Sequence, residues 1–150
     1  MEGIYVRKYL IFGLVLIIIM GSLLLPKILG EKEDLVKFKA LDIEDVPEKI
    51  VEMLPQYVME ERALTCKYRD DIYVIVTRGE KKSVGYFVDI EKIVREEYTK
   101  DNFDIVVYAK YIDPNPNEVL PQEYDYPAIV VKTNLKSMPQ QIHLDIEYLE

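Results

Sequence analysis

The pattern of apolar and polar positions divides the chain into three parts. From Tyr9 to Leu25 the sequence reads YLIFGLVLIIIMGSLLL, an apolar run without a charge, preceded by Arg7 and Lys8 and closed by Pro26 and Lys27. A helix rises about 1.5 Å per residue, so residues 9–29, with the Lys27 ammonium reaching back to the interface, approach the roughly 30 Å hydrocarbon core of a bilayer. The run predicts one membrane-spanning helix after a short leader, residues 1–8. Residues 30–44 are mixed and charged and predict a tether. At Asp45-Val46-Pro47-Glu48 an acid, a first-turn proline and a Glu three positions on predict a helix start, with Val46, Ile50, Val51, Met53 and Leu54 on one face. Pro55 lacks the amide proton a helix interior needs and should stop or kink it.

Beyond Arg62 the period changes from helical to alternating, in segments rich in Val, Ile and Tyr that suit a pleated surface. Ala63 to Tyr68 and Ile72 to Thr77 flank Arg69-Asp70-Asp71 as one hairpin. Val84 to Val94 and Phe103 to Ile112 flank Lys100-Asp101-Asn102 as another. In the Val84 segment Tyr86, Val88 and Ile90 share a face and Ile93 is out of phase, which predicts a bulge or the end of regular pairing near Lys92. Ala128 to Lys132 and Ile142 to Leu149 complete the strands, the latter with Ile142, Leu144, Ile146 and Tyr148 on one face. The expected fold is α+β or mostly β: a membrane helix, then a domain over residues 45–150 built as a small antiparallel sheet of five or six strands with one short N-terminal helix.

The flanking charges set an orientation. Arg7 and Lys8 outweigh Glu2 before the run, so the N-terminus is expected in the cytoplasm and the domain outside it, at the plasma membrane. A cleaved secretory signal is the alternative; the exit PKILGEKE places bulky Leu29 between Ile28 and Gly30 and offers no small-x-small cleavage pattern. The 120 residues after position 30 suffice for one domain with its own core. They carry 16 bases against 26 acids, a balance that argues against nucleic acid and, beside an anionic membrane surface, favours a protein partner over lipid headgroups. Cys66 is the only cysteine, so the chain forms no internal disulfide and its fold depends on packing; its LTCKY setting predicts burial.

Catalytic and cofactor chemistry find little purchase. His143, the only histidine, alternates outward from Ile142 and Leu144, and nothing local joins it to Cys66 or to a third orienting group. One Cys and one His cannot make a structural zinc site, and no glycine-rich phosphate loop is present. Asp113-Pro114-Asn115-Pro116-Asn117-Glu118 spaces oxygen ligands like the opening of a calcium loop, but the positions that need Gly and a bidentate Glu hold Glu118 and Tyr124. No enzyme activity, metal or cofactor is expected. The best candidate binding surface is the proline-stiffened segment 113–127, with Asp113, Asn115 and Asn117 as polar contacts and Tyr124 and Tyr126 as rigid, amphipathic anchors. The competing reading makes exposed tyrosines stacking platforms for a carbohydrate or small ligand.

Several of these residues also carry a family likeness. The strand Tyr73-Val-Ile-Val-Thr leads into Arg78-Gly79-Glu80-Lys81; Gly85-Tyr86 follows with Val88 and Ile90; then come Ile105 to Val107, Asp113-Pro114 with Pro116, and Tyr126-Pro127 with Ile129 and Val130. This stretch, Tyr73 to Val131, resembles the C-terminal domain of PrcB-like proteins, envelope components associated with a protease complex. Where that family has a threonine and two glycines, this chain has Ser83, Val84 and Gly85. The resemblance implies a non-enzymatic module that binds or stabilises a partner such as an envelope protease, and it carries over no catalytic residue. Independently of it, Gly79 should end a strand in a turn and Gly85 should permit a tight bend before Tyr86, so Gly79, Gly85, Tyr86 and Pro127 read as structural positions.

Overall fold

Eight strands form two four-stranded sheets in the computed structural model, which describes residues 33–99 and 101–150. The strands are β1 (Asp34–Leu35), β2 (Phe38–Leu41), β3 (Glu61–Tyr68), β4 (Asp71–Arg78), β5 (Phe87–Thr99), β6 (Asn102–Ile112), β7 (Ala128–Thr133) and β8 (Ile142–Leu149), and one helix, α1 (Glu48–Met53), lies between β2 and β3. The first sheet runs β1-β5-β6-β8 and the second β2-β7-β4-β3. The domain is therefore mostly β, as its alternating periodicity predicts. The leader, the span 9–29 and residues 30–32 lie outside the described residues. Among the described residues no helix is long and apolar enough to cross a membrane.

The main core lies between the sheets. Ile72, Val74 and Val76 of β4 and Val131 of β7 meet Ile90 and Ile93 of β5 and Phe103, Ile105, Val107, Ala109 and Tyr111 of β6. A second cluster occupies the outer face of the second sheet, where Tyr73 and Ile75 of β4 and Val130 of β7 are covered by Val46 and by Ile50 of α1. This two-sided burial explains why β4 reads as the nearly continuous apolar run IYVIV, whereas β6, open to water on one face, alternates.

Several details differ from expectation. The segment read as a tether contributes β1 and β2 to different sheets, because Val36 is buried in the main core and Phe38 packs against it. The helix begins at Glu48 after Pro47, which makes no side-chain cap; Asp45, expected to open the helix, instead ends a separate 3-10 turn, Ile43–Asp45. Pro55 sits in a second 3-10 turn, Leu54–Gln56, and ends the helix as its missing amide proton requires.

The expected single antiparallel sheet is replaced by two sheets, and β8 runs parallel to β6, pairing Ile105 with Ile142, Val107 with Leu144 and Tyr111 with Tyr148. After β6 the chain crosses to the second sheet as β7 and returns, so it re-enters the first sheet in its original direction. Strand β5 starts at Phe87 rather than Val84, since residues 82–84 form a bend and Gly85 has φ +97°. The irregularity near Lys92 is present: register shifts between Ile90 and Lys92, which lets Ile90 and Ile93 both face the core. At the β3–β4 hairpin Arg69 adopts a left-handed φ of 55°, and the turn is tight enough to pair Tyr68 with Asp71.

Candidate functional site

The segment 113–127 connects β6 to β7, and both its ends are tied to strands. The Asp113 N–H donates to the Leu149 carbonyl at 2.8 Å, fixing the start of the loop to the end of β8. At the far end Lys81 and Asp125 exchange two backbone hydrogen bonds, 2.9 and 3.0 Å, and the Arg78 N–H donates to the Pro127 carbonyl at 2.9 Å. Between these ties, Asn115 closes a turn: its side-chain oxygen accepts the Asn117 N–H at 3.0 Å and its carbonyl accepts the Glu118 N–H at 3.0 Å.

Gly85 locks the middle of the loop. A Cβ there would lie 3.0 Å from Leu120 Cδ1 and 3.1 Å from Pro114 Cβ, and its positive φ disfavours any L side chain. Gly79, at φ +77°, turns the chain out of β4 beside the Met59 carbonyl. These two glycines thus let separate segments pack against the loop and against β4.

The hub of the arrangement is Arg78, which sequence reasoning assigned no role. It is 2% exposed. Its guanidinium donates to the carbonyls of Ile112 at 2.5 Å and Phe87 at 3.2 Å and forms an ion pair with the Asp113 carboxylate. It also lies 4.9 Å from the Tyr86 ring centroid and 5.2 Å from that of Tyr111. One side chain therefore joins the end of β4, the start of β5, the end of β6 and the loop. The signal for it was parity: Arg78 has the same alternation as Ile72, Val74 and Val76, and so must point between the sheets.

Tyr111 completes this buried polar layer. Its hydroxyl donates to the Thr77 carbonyl at 2.7 Å, and its ring meets that of Tyr148 edge-on at 5.6 Å. Burial, reinforced by the nearby Glu61 and Tyr148, pushes the Tyr111 phenol well above its ordinary range, with Arg78 opposing. The Tyr148 hydroxyl in turn donates to Glu61 at 2.8 Å, and that hydrogen bond raises its own pKa.

The five nominated contact residues separate into two kinds. The Asp113 carboxylate and the Asn115 side-chain oxygen are committed to internal bonds, which also accounts for the apparent calcium-ligand spacing. Asn117 lies exposed at the turn. Tyr124 is 63% exposed, while the Tyr126 hydroxyl donates to Glu80 at 2.9 Å, a bond that raises its pKa. Tyr86 is packed on Arg78, and Pro127 is buried. Val119, which sequence reasoning did not single out, is 98% exposed at the loop tip. An apolar residue in a polar, proline-rich loop was the available signal.

Two hollows flank the loop. A polar one of about 310 Å³ is lined by Ser83, Tyr86, Asp113, Pro114, Leu120 and Gln122 among others. An apolar one of about 470 Å³ is lined by Val51, Leu54, Pro55, Val58, Met59 and Tyr126. Cys66 and His143 are not joined: Cys66 packs with the cluster beneath α1, where burial raises its thiol pKa, and His143 is exposed on β8 with Nε2 3.5 Å from Asp104. Among the described residues no three His, Cys, Asp or Glu side chains gather as a metal site.

Residues 72–134 match the family model described as PrcB C-terminal. No curated protein and no solved structure matches the chain. The matched stretch is PrcB C-terminal-like and runs from the start of the IYVIV strand through the Arg78 hub and the whole 113–127 loop to the end of β7. The helix, β1 to β3 and β8 fall outside it.

Proposed function

We propose that the chain is a non-enzymatic, single-pass membrane protein whose domain lies outside the cytoplasm and binds another protein through the 113–127 loop. The PrcB C-terminal likeness points to a component of an envelope protease complex as the class of partner. The observation that carries the binding role is the contrast within the loop: its base is held by Arg78, Gly85 and the Lys81–Asp125 bridge, while Val119 and Tyr124 are held in water. A preordered loop loses little entropy on binding, and exposed apolar and aromatic side chains gain most from being covered. Anchoring rests on the charge-free run from Tyr9 to Leu25, and orientation on Arg7 and Lys8 before it.

The carbohydrate or small-ligand reading receives less support. Stacking recognition is strongest where two rings wall one concavity, and each hollow beside the loop has a single ring: Tyr86 in the polar one and Tyr126 in the apolar one.

The test is affinity capture of the full chain from detergent-solubilised membranes, followed by identification of the captured protein and its titration against variants. Tyr124→Ala should weaken that interaction by about 1–3 kcal/mol without moving the unfolding midpoint. Undiminished binding by Tyr124→Ala and by Val119→Ser would make the loop a structural connection only. Orientation is read separately by adding protease to intact cells, where the domain should be digested; survival until lysis would place it on the other side.

A further inference from the structure

The apolar hollow beside α1 belongs to neither the Arg78 hub nor the exposed tip of the loop. Its walls are Val51, Leu54, Pro55, Val58, Met59 and Tyr126, with Met59 54% exposed. It forms because Pro55 cuts the helix short, so the following turn diverges and leaves its apolar side chains only partly covered. Of the six lining side chains only Tyr126 carries a polar hydrogen-bonding group, and its hydroxyl already donates to Glu80. A small polar ligand would find no converging groups to orient it there.

The charges around the hollow have one dominant sign. Segment 48–60 contains Glu48, Glu52 and Glu60 against Lys49, Glu60 being paired with Arg62, and Glu123, Asp125 and Glu80 stand near Tyr126, with Lys81 bridged to Asp125 through the backbone. Glu48 and Glu52 stand one helical turn apart on the same side of Val51 on α1, and both are exposed. An apolar floor set in acid-rich segments complements an apolar segment flanked by lysine or arginine. It repels a second copy of this acidic domain.

We infer that this hollow is a docking groove for a partner segment with a large apolar residue at its centre and basic residues on either side. The inference deepens the protein-binding role proposed above by naming the chemistry of the partner. Its lining does not include the loop tip at Val119, so the two can fail independently.

The test uses the full chain in zwitterionic nanodiscs carrying 13C-methyl methionine, with the Met59 signal assigned through Met59→Leu. The probe is a short synthetic peptide with a Leu-Phe-Leu centre and Lys/Arg flanks; its twin has Glu flanks, and empty nanodiscs measure binding to lipid alone. The basic peptide should shift the Met59 methyl saturably and leave Met138 unmoved. The Glu-flanked twin should bind about tenfold more weakly, since its flanks would meet carboxylates of like sign. Added salt should narrow that gap, and Glu52→Lys should weaken the basic peptide.

Absence of a saturable Met59 shift, or equal affinity for the two peptides, would overturn the proposal. So would a Met59 shift that follows protein concentration without peptide, since the occupant would then be a second copy. Val119→Ser, at the fully exposed loop tip, should leave the titration unchanged. If it does so and still captures the natural partner fully, the loop reading fails while the groove stands; if the peptide never binds but Val119→Ser loses the partner, the reverse holds.

Discussion

Strands β4 and β6 are both interior to their sheets, yet their outer faces meet different surroundings. The outer face of β4 presents Tyr73 and Ile75 to Ile50 of α1 and to Val46, and both are buried. The outer face of β6 carries Val106, Tyr108 and Lys110 half-exposed, with the Lys92 ammonium 4.7 Å from the Tyr108 ring centroid and Lys110 paired loosely with Glu91 and Glu147 at 3.4 and 4.0 Å. A six-residue helix thus changes what one strand must be made of. Buried on both faces, β4 then carries its one charged inward side chain, Arg78, into a dry layer, where every partner of that charge has structural weight.

The largest test of this contrast is truncation on the two outer faces. Ile75→Ala should lower stability by about 2–5 kcal/mol, the range for a buried isoleucine, whereas Val106→Ala should cost less than about 1 kcal/mol. Urea unfolding of the two variants reads the difference directly. Equal losses would mean that α1 does not seal the second sheet in solution.

A second contrast compares the charge pairs. Asp113→Ala leaves the buried Arg78 guanidinium with carbonyl acceptors alone and should cost about 1–3 kcal/mol, the scale of hydrogen bonds to a charged group. Glu147→Ala, which removes a long exposed pair with Lys110, should change stability by no more than about 0.5 kcal/mol. If the two losses are alike, Arg78 is not the hub its contacts imply.

A smaller effect should appear at high pH. The folded state raises the pKa of Tyr111, chiefly by burial, so the unfolded chain loses its phenolic proton first as pH rises. Stability from this source is complete below the ordinary tyrosine value of about 10 and falls as pH climbs from there toward the folded value. Tyr98, Tyr126 and Tyr148, whose hydroxyls donate to Asp104, Glu80 and Glu61, shift in the same direction. Melting temperature should therefore decline above about pH 10, and Tyr111→Phe should decline less steeply than the wild type, each measured from its own neutral-pH value. A pH profile unaltered by that substitution would assign the alkaline loss to other groups.

The smallest expected change is at the loop tip. Val119→Ser should shift stability by less than about 0.5 kcal/mol, because its side chain touches water rather than the core. A larger loss would show that the tip folds back onto the domain, which would remove Val119 as a contact residue.

The chain's own pattern was enough to determine where most strands lie, the hairpin at Arg69, the stop at Pro55 and the irregularity near Lys92, because these follow from local periodicity, missing amide protons and turn chemistry. It also marked Gly79 and Gly85 as bends, both of which have positive φ. Tertiary structure alone decided that the strands divide into two sheets, that β8 lies parallel to β6, and that Asp34 to Leu41 belongs to the domain. Strand pairing is chosen among distant segments, and alternation says which face of a strand is apolar but not which partner covers it. The same limit governs the candidate site. Tyr124 and Tyr126 stand two positions apart beside the same prolines, and only the fold shows that Tyr126 bonds Glu80 and lines the hollow beside α1 while Tyr124 is the more exposed of the two. Arg78 and Asp113 are 35 residues apart along the chain, and only the meeting of β4 with the end of β6 turns them from two ordinary charges into the pair that holds the loop.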